Sequence, residues 1–244
     1  MRIAQPDVVS NKKVQRLGLV RHATLIFDCD GVILDSNRIK TEAFRQAALP
    51  YGEAAAQALI TYHVANGGVS RYRKFQHFLQ EIVSSSIQST NFSNGLLPDL
   101  DALLAAYAQL VQKGLRECAI ADGLAMLRVL TPQARWMVVS GGDQAELRDV
   151  FSERGIAAFF DGGIFGSPAS KHEIVANECR WDGIRHPAIF FGDSRMDHEV
   201  AVANNLDFVF VSGWTEMPGW QAYAMANDLE VIPSLSHYPL TTDS

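Results

Sequence analysis

The stretch Ala23 to Ser36, ATLIFDCDGVILDS, decides the fold. It begins as a short apolar run of the kind that becomes a strand buried on both faces. It ends in two carboxylates, Asp28 and Asp30, with Gly31 immediately behind them. Asp and Gly are poor strand residues, and two acids two positions apart on a strand point to the same side, where they repel. A divalent cation is the first candidate to offset that repulsion.

Three further runs have the same form. Trp136 to Val139 (WMVV) precedes SGGD, Ala188 to Phe191 (AIFF) precedes GDS, and Asp207 to Val211 (DFVFV) precedes SGW. Strands that end in small or acidic residues and alternate with helical patterns predict a doubly wound, Rossmann-like α/β core with a parallel sheet. Ligands of such sheets sit beyond the carboxyl ends of the strands. From Asn37 to about Arg116 no comparable run occurs, and NRIKTEAFRQAAL, GEAAAQALITYHVA, SRYRKFQHFLQEIV and LPDLDALLAAYAQLVQKGL carry apolar residues at helical spacing. The expected division is a polar leader at 1–22, an α/β core at 23–36 and 117–244, and an all-helical cap at 37–116. Linkers are expected at 35–37 and about 117–123, with Asp35 and Ser36 capping the first cap helix. The Ser- and Asn-rich segment 84–95 reads as a mobile loop within the insert.

Composition bounds the function. The 244 residues are 48% hydrophobic and 20% charged with a formal charge of −6, which disfavours both a disordered chain and a nucleic-acid binder. Cys29, Cys118 and Cys179 are odd in number and lack metal-ligand spacing, which argues against disulfides and structural zinc and fits a cytoplasmic location. No run approaches the roughly 18 apolar residues of a membrane span. Cys29 alternates to the face opposite the two acids and reads as a core thiol.

The strand ends and one helix start supply a set of reactive side chains in a fixed order. Asp28 and Asp30 follow the first run, Ser140, Gly141 and Gly142 the second, Lys171 sits in SPASKHE, and Asp193 and Asp197 fall in GDSRMD. Each part alone is a weak signal, and Lys171 alone would read as a solvated lysine. As an ordered set, DCDGV, VVSGG, the lysine and GDSRMD resemble the haloacid dehalogenase-like superfamily from about Thr24 to Val211. The insert directly after the first motif resembles the subgroup with a helical cap, which includes β-phosphoglucomutase and phosphoglycolate phosphatase.

That resemblance implies a phosphatase that works through an aspartyl-phosphate on Asp28, with Asp30 as acid and base. Magnesium would be held by Asp28, Asp193 and the Asp30 carbonyl, with Asp197 acting through water or by holding the site in place. Gly31, Ser140, Gly141, Gly142 and Lys171 would cradle and neutralise the phosphate. In the cap, HVANGGVSRYRK (63–74) matches the relatives' substrate loop at Gly68, Ser70 and Arg71, and makes Arg71 and then Lys74 the expected substrate contacts. The expected partner is a small phosphorylated metabolite, such as a sugar phosphate, with no membrane or nucleic acid.

Four other readings compete within the fold. Halide displacement does not need Asp30, and Schiff-base chemistry would need a depressed amine at Lys40 or Lys74, for which the sequence around them offers no cause. A phosphomutase of the β-phosphoglucomutase type shares Asp28, Asp30 and the cap loop, so the sequence separates it poorly from a phosphatase. A binding module that kept the fold without turnover fits poorly with the full set of polar residues.

Overall fold

The computed structural model describes residues 21–84 and 99–238. Six strands form one parallel sheet: β1 (Thr24–Phe27), β2 (Arg135–Asp143), β3 (Gly163–Ser167), β4 (Ala188–Gly192), β5 (Asp207–Val211) and β6 (Glu230–Ile232), in the order β3-β2-β1-β4-β5-β6. The four expected strands are present; β3 and β6 are additional.

β1 lies at the centre, and its four residues are all buried. Leu25 and Phe27 face one apolar layer and Ile26 the other, the alternation a two-sided strand requires. Phe27 stacks on Phe191 at 5.1 Å and meets Trp136 at 4.7 Å, so the three central strands share one aromatic cluster. The strand order reverses at the β1 and β4 pair, which opens a crevice at their carboxyl ends.

Around the sheet run α5 (Leu124–Leu130), α6 (Gln144–Glu153), α7 (Lys171–Arg180), α8 (Arg195–Ala203) and α9 (Trp220–Ala226). Between residues 37 and 117 every described element is helical: α1 (Asn37–Ala48), a 3₁₀ turn at Leu49–Tyr51, α2 (Glu53–Ala65), α3 (Arg71–His77), which runs into a π-helical turn at Phe78–Val83, and α4 (Leu100–Glu117). Their inward faces pack Phe44, Phe75, Phe78 and Tyr107 together, and this cluster is continuous with the Leu25 and Phe27 layer. The expected loop at 84–95 lies, beyond Ser84, outside the described residues.

The chain crosses between helices and sheet twice, and the two crossings run side by side. Asp35 N–H donates to Ala119 C=O at 3.0 Å, and Ala121 N–H donates to Ile33 C=O at 2.8 Å. His22, placed in the leader, is buried and bonds Asp207 Oδ2 at 2.8 Å, and the leader before Arg21 lies outside the described residues. One expectation needs correction here. Ser36 occupies the N-cap position of α1 but makes no side-chain cap, because its hydroxyl donates instead to Asp30 Oδ1 at 2.6 Å.

Candidate active site

Asp28 leaves β1 where the ladder to β4 ends, its N–H donating to Phe191 C=O at 2.9 Å. Its carboxylate is almost fully buried, with Oδ1 accepting from Cys29 N–H at 2.7 Å and Oδ2 lying 2.8 Å from Lys171 Nζ. Lys171, the first residue of α7, is 1% exposed, so it is a buried cation and not a solvated one. The same ammonium donates to Asp197 Oδ1 at 2.5 Å. Asp197 Oδ2 accepts from the N–H and hydroxyl of Ser194, closing a capping box that fixes the start of α8.

Asp193, just past β4, accepts from Asn37 Nδ2 at 2.7 Å. Gly31, at φ +77, passes so close that a Cβ there would lie 2.2 Å from Asp193 Oδ2. Both the backbone angle and the space demand glycine. Ligand oxygens of Asp28, Asp193 and Asp197 lie within 4.8 Å of one another, all buried. Burial, and then the neighbouring carboxylates, hold the Asp193 carboxyl well above its usual range. Burial likewise pushes Asp28 up to about 7 despite Lys171. One lysine cannot neutralise three buried carboxylates, so the donor set fits a hard, oxygen-seeking divalent cation.

Asp30 has a different environment. Lys40 Nζ lies 2.6 Å from its Oδ2, and Ser36 donates to Oδ1. Burial opposes its charge, but Lys40 and Ser36 outweigh that and leave the carboxyl below its usual range. Lys40 is likewise held protonated, burial being outweighed by Asp30.

Ser140 is fully buried in the last part of β2, and its Oγ accepts from Gly142 N–H at 3.0 Å, within the irregular stretch where the register of β2 against β3 shifts between Val139 and Asp143. The helical segment is closed down on the Gly141–Gly142 pair. A Cβ on Gly141 would lie 2.3 Å from Gly68 C=O, and Gly67 and Gly68 lie against Ser194 and Met196. The glycines are what permit this backbone approach.

Between the two layers is a cavity of about 520 Å³. Asp28, Asp30, Gly141, Gly142 and Asp193 form its floor, and Lys40, His63, Gly68, Arg71, Lys74 and Tyr107 are among its cap-side walls. Ser70 is not on the wall: it stands at the start of α3, and its C=O accepts from Lys74 N–H. Arg71 is committed across the cleft, 3.0 Å from Glu146 Oε2 and 3.7 Å from Asp143 Oδ2, while Tyr72 donates to Asp143 at 2.7 Å. Arg71 therefore ties α3 to α6 as well as facing the cavity.

The sequence model of the haloacid dehalogenase-like hydrolases matches residues 22–204. The chain belongs to that family. No curated protein matches it. Among solved structures it resembles a phosphatase assigned by prediction from Clostridium acetobutylicum, at 17% identity and a TM-score of 0.63, covering 86% of this chain and 93% of that one. It also resembles a haloacid dehalogenase-like hydrolase from Bacteroides fragilis, at 16% identity and a TM-score of 0.63, covering 88% and 98%. A third is an assigned β-phosphoglucomutase from Thermotoga maritima, at 16% identity and a TM-score of 0.57, covering 86% and 93%. At these identities the likeness establishes the family fold. No helix among the described residues is long and apolar enough to cross a membrane.

Several cavity residues of this hydrolase are not singled out by sequence: Lys40 as the partner of Asp30, Asn37 as the donor to Asp193, and His63 and Tyr107 as walls. Their one available signal is position, since Lys40 falls one helical turn after Ser36 on the inward face of α1. The expectation that nothing depresses the Lys40 and Lys74 amines holds for Lys40 and fails for Lys74. Burial, with Lys40 nearby, brings Lys74 down to about 7.

That shift has a sign for stability. From about pH 7 up to the ordinary lysine range, the unfolded chain binds a proton at Lys74 that the folded chain does not. Folding stability therefore rises with pH across that window, and below it the buried charge is a standing cost. Lys74→Met is expected to raise Tm at pH 6 by roughly 2–8 °C, with a smaller gain at pH 9. Thermal melts of the two proteins at both values check this.

Proposed function

We propose that this hydrolase is a magnesium-dependent phosphatase of small phosphorylated metabolites, working through a phosphoryl group carried on Asp28. The observation that supports this most is the convergence on one cavity floor of Asp28, Asp30, the Gly141–Gly142 pair and Asp193, with Lys171 2.8 Å from Asp28.

Asp28 Oδ attacks phosphorus while the bond from phosphorus to the ester oxygen breaks, leaving an alkoxide that must gain a proton. The Lys40 ammonium donates to Asp30 Oδ2 at 2.6 Å, and the proton reaches the alkoxide through Asp30 as Lys40 gives up its own. In the second half a water attacks phosphorus, Asp30 takes the water's proton, and the bond between phosphorus and Asp28 breaks to release phosphate. Lys171 spreads its charge over the region where the transferred group sits, and its partner Asp197 keeps it aimed there. Asp28 and Asp193 would hold magnesium, with Asp197 as the third acid of the cluster. The ion's contribution when bound is to lower the repulsion between the phosphate dianion and the carboxylates.

Arg71 and Tyr72 hold the helical layer against α6, which narrows the approach to the floor. Small substrates fit a cavity of about 520 Å³ beneath this layer better than a phosphorylated protein does. The test is phosphate release from p-nitrophenyl phosphate and a panel of phosphorylated metabolites. Release that stops with EDTA and returns with excess magnesium is the expected result. Release unaffected by chelation would contradict the metal assignment, and no release from any ester would contradict the activity.

A further inference from the structure

Three lysines are buried among the described residues: Lys40, Lys74 and Lys171. Two have carboxylates at ion-pair distance, Lys40 with Asp30 and Lys171 with Asp28 and Asp197. Lys74, 2% exposed and on the cavity wall, has no carboxylate partner among the described residues. A buried amine without a counter-charge costs stability, and a chain that keeps one there has a use for it or a ligand that completes it.

The groups around Lys74 define what that ligand is. Its Nζ lies 2.7 Å from His63 Nδ1 and 5.6 Å from the Phe44 ring centre. His63 Nε2 is 3.1 Å from Thr41 Oγ1, and the Thr41 hydroxyl donates to Glu216 Oε2 at 2.5 Å. Because the Thr41 proton is directed at Glu216, its oxygen must accept from His63 Nε2–H. His63 is therefore the Nε2–H tautomer, and its Nδ1 accepts from Lys74. Burial, then Lys74 and Lys40, keep that ring neutral, its value pushed down to about 2. The network thus fixes the amine in place without supplying a negative charge. Lys40 on α1 adds a second cation nearby, while Asp30 and Asp28 act on Lys74 from a distance without an ion pair. Arg71 is already engaged by Glu146 and Asp143.

From this we infer that Lys74 forms the anion-binding end of the substrate cavity, so that the preferred substrate carries a second negative group, a carboxylate or a second phosphate, besides the phosphate that is cleaved. The inference rests on the phosphatase reading above. Such a ligand gives the amine its counter-charge and keeps it protonated. His63 holds the ammonium so that its remaining N–H groups point away from the imidazole.

The experiment uses matched pairs and the full-length enzyme with magnesium. 3-Phosphoglycerate is compared with glycerol 3-phosphate for the carboxylate, and fructose 1,6-bisphosphate with fructose 6-phosphate for the phosphate. In at least one pair, kcat/KM is expected to favour the doubly anionic member by about ten- to a hundredfold, the range of one charge-assisted hydrogen bond. Which pair responds distinguishes the two sources of charge. In Lys74→Met, that ratio is expected to collapse by the same factor. Equal or reversed preference in both pairs of the wild-type enzyme, a comparison needing no variant, would overturn the inference while leaving the phosphatase reading intact. An unchanged ratio in Lys74→Met would overturn the assignment to Lys74. No phosphate from any of the four esters, nor from p-nitrophenyl phosphate, would overturn both readings.

Discussion

Asp28→Asn is expected to release phosphate at least about 10⁴-fold more slowly than the wild-type enzyme, the scale seen when a covalent nucleophile is removed. The amide has the same shape and can still accept from Cys29 N–H, which lies 2.7 Å from Oδ1 in the wild type. It has no nucleophilic carboxylate. Lys171 loses one partner and keeps Asp197. The fold should not suffer, and metal-free protein gives a check on that. Burial holds Asp28 up to about 7, so between the ordinary carboxylate range and pH 7 the folded chain binds a proton that the unfolded chain has released. Stability of the metal-free wild type therefore falls as pH rises through that window, and Asp28→Asn removes that loss. The variant is expected to be inactive with a Tm at pH 7 no lower than that of wild type. Phosphate release measured alongside thermal melts tests both parts, and an inactive variant that is also unfolded would leave the comparison to Asp28→Glu, which keeps the charge and misplaces it.

Asp30→Asn has a different expected signature because it separates the two half-reactions. An alkyl leaving group needs a proton as its bond breaks, whereas p-nitrophenolate leaves without one. Loss of general acid–base catalysis is worth about 10²–10⁴-fold. With an alkyl phosphate the whole of that loss is expected in kcat. With p-nitrophenyl phosphate the first step survives and the second, which needs the base, does not. Rapid mixing should then show a burst of p-nitrophenolate close to one equivalent, followed by slow turnover. Equal losses for both esters without a burst would remove Asp30 from the proton transfers. The amide oxygen introduced by Asp30→Asn can still accept from Lys40 or Ser36, which helps retain the linker geometry they fix.

The central strands and the floor of the site were legible because each is encoded locally. Four apolar residues followed by DxDG, SGG or GDSxxD specify a strand, its end and the polar groups beyond it within about ten positions. β3 was not legible, since GIFGS places glycines at two of five positions, and β6 is a three-residue edge strand with mixed burial. The helical segment was legible from its periodicity, but what its polar residues do was not. Lys40, His63 and Lys74 sit at helix positions that any amphipathic pattern would assign to a wall. Their pairing depends on α1, α2 and α3 meeting around Phe44. Arg71 shows the same limit: its charge is visible in sequence, while Glu146, 75 residues away, becomes its partner through the closure of α3 on α6.

The phosphoryl group on Asp28 can be sought directly. Enzyme with magnesium and an excess of a turned-over ester is quenched in acid within one turnover, digested, and the peptides are analysed by mass spectrometry. The expected result is one phosphoryl group on the peptide containing FDCDGVILDS, located to Asp28, present during turnover in wild type, accumulating in Asp30→Asn and missing in Asp28→Asn. Wild-type turnover at full rate with that peptide unmodified at every quench time, in Asp30→Asn as well, would contradict a covalent role for Asp28.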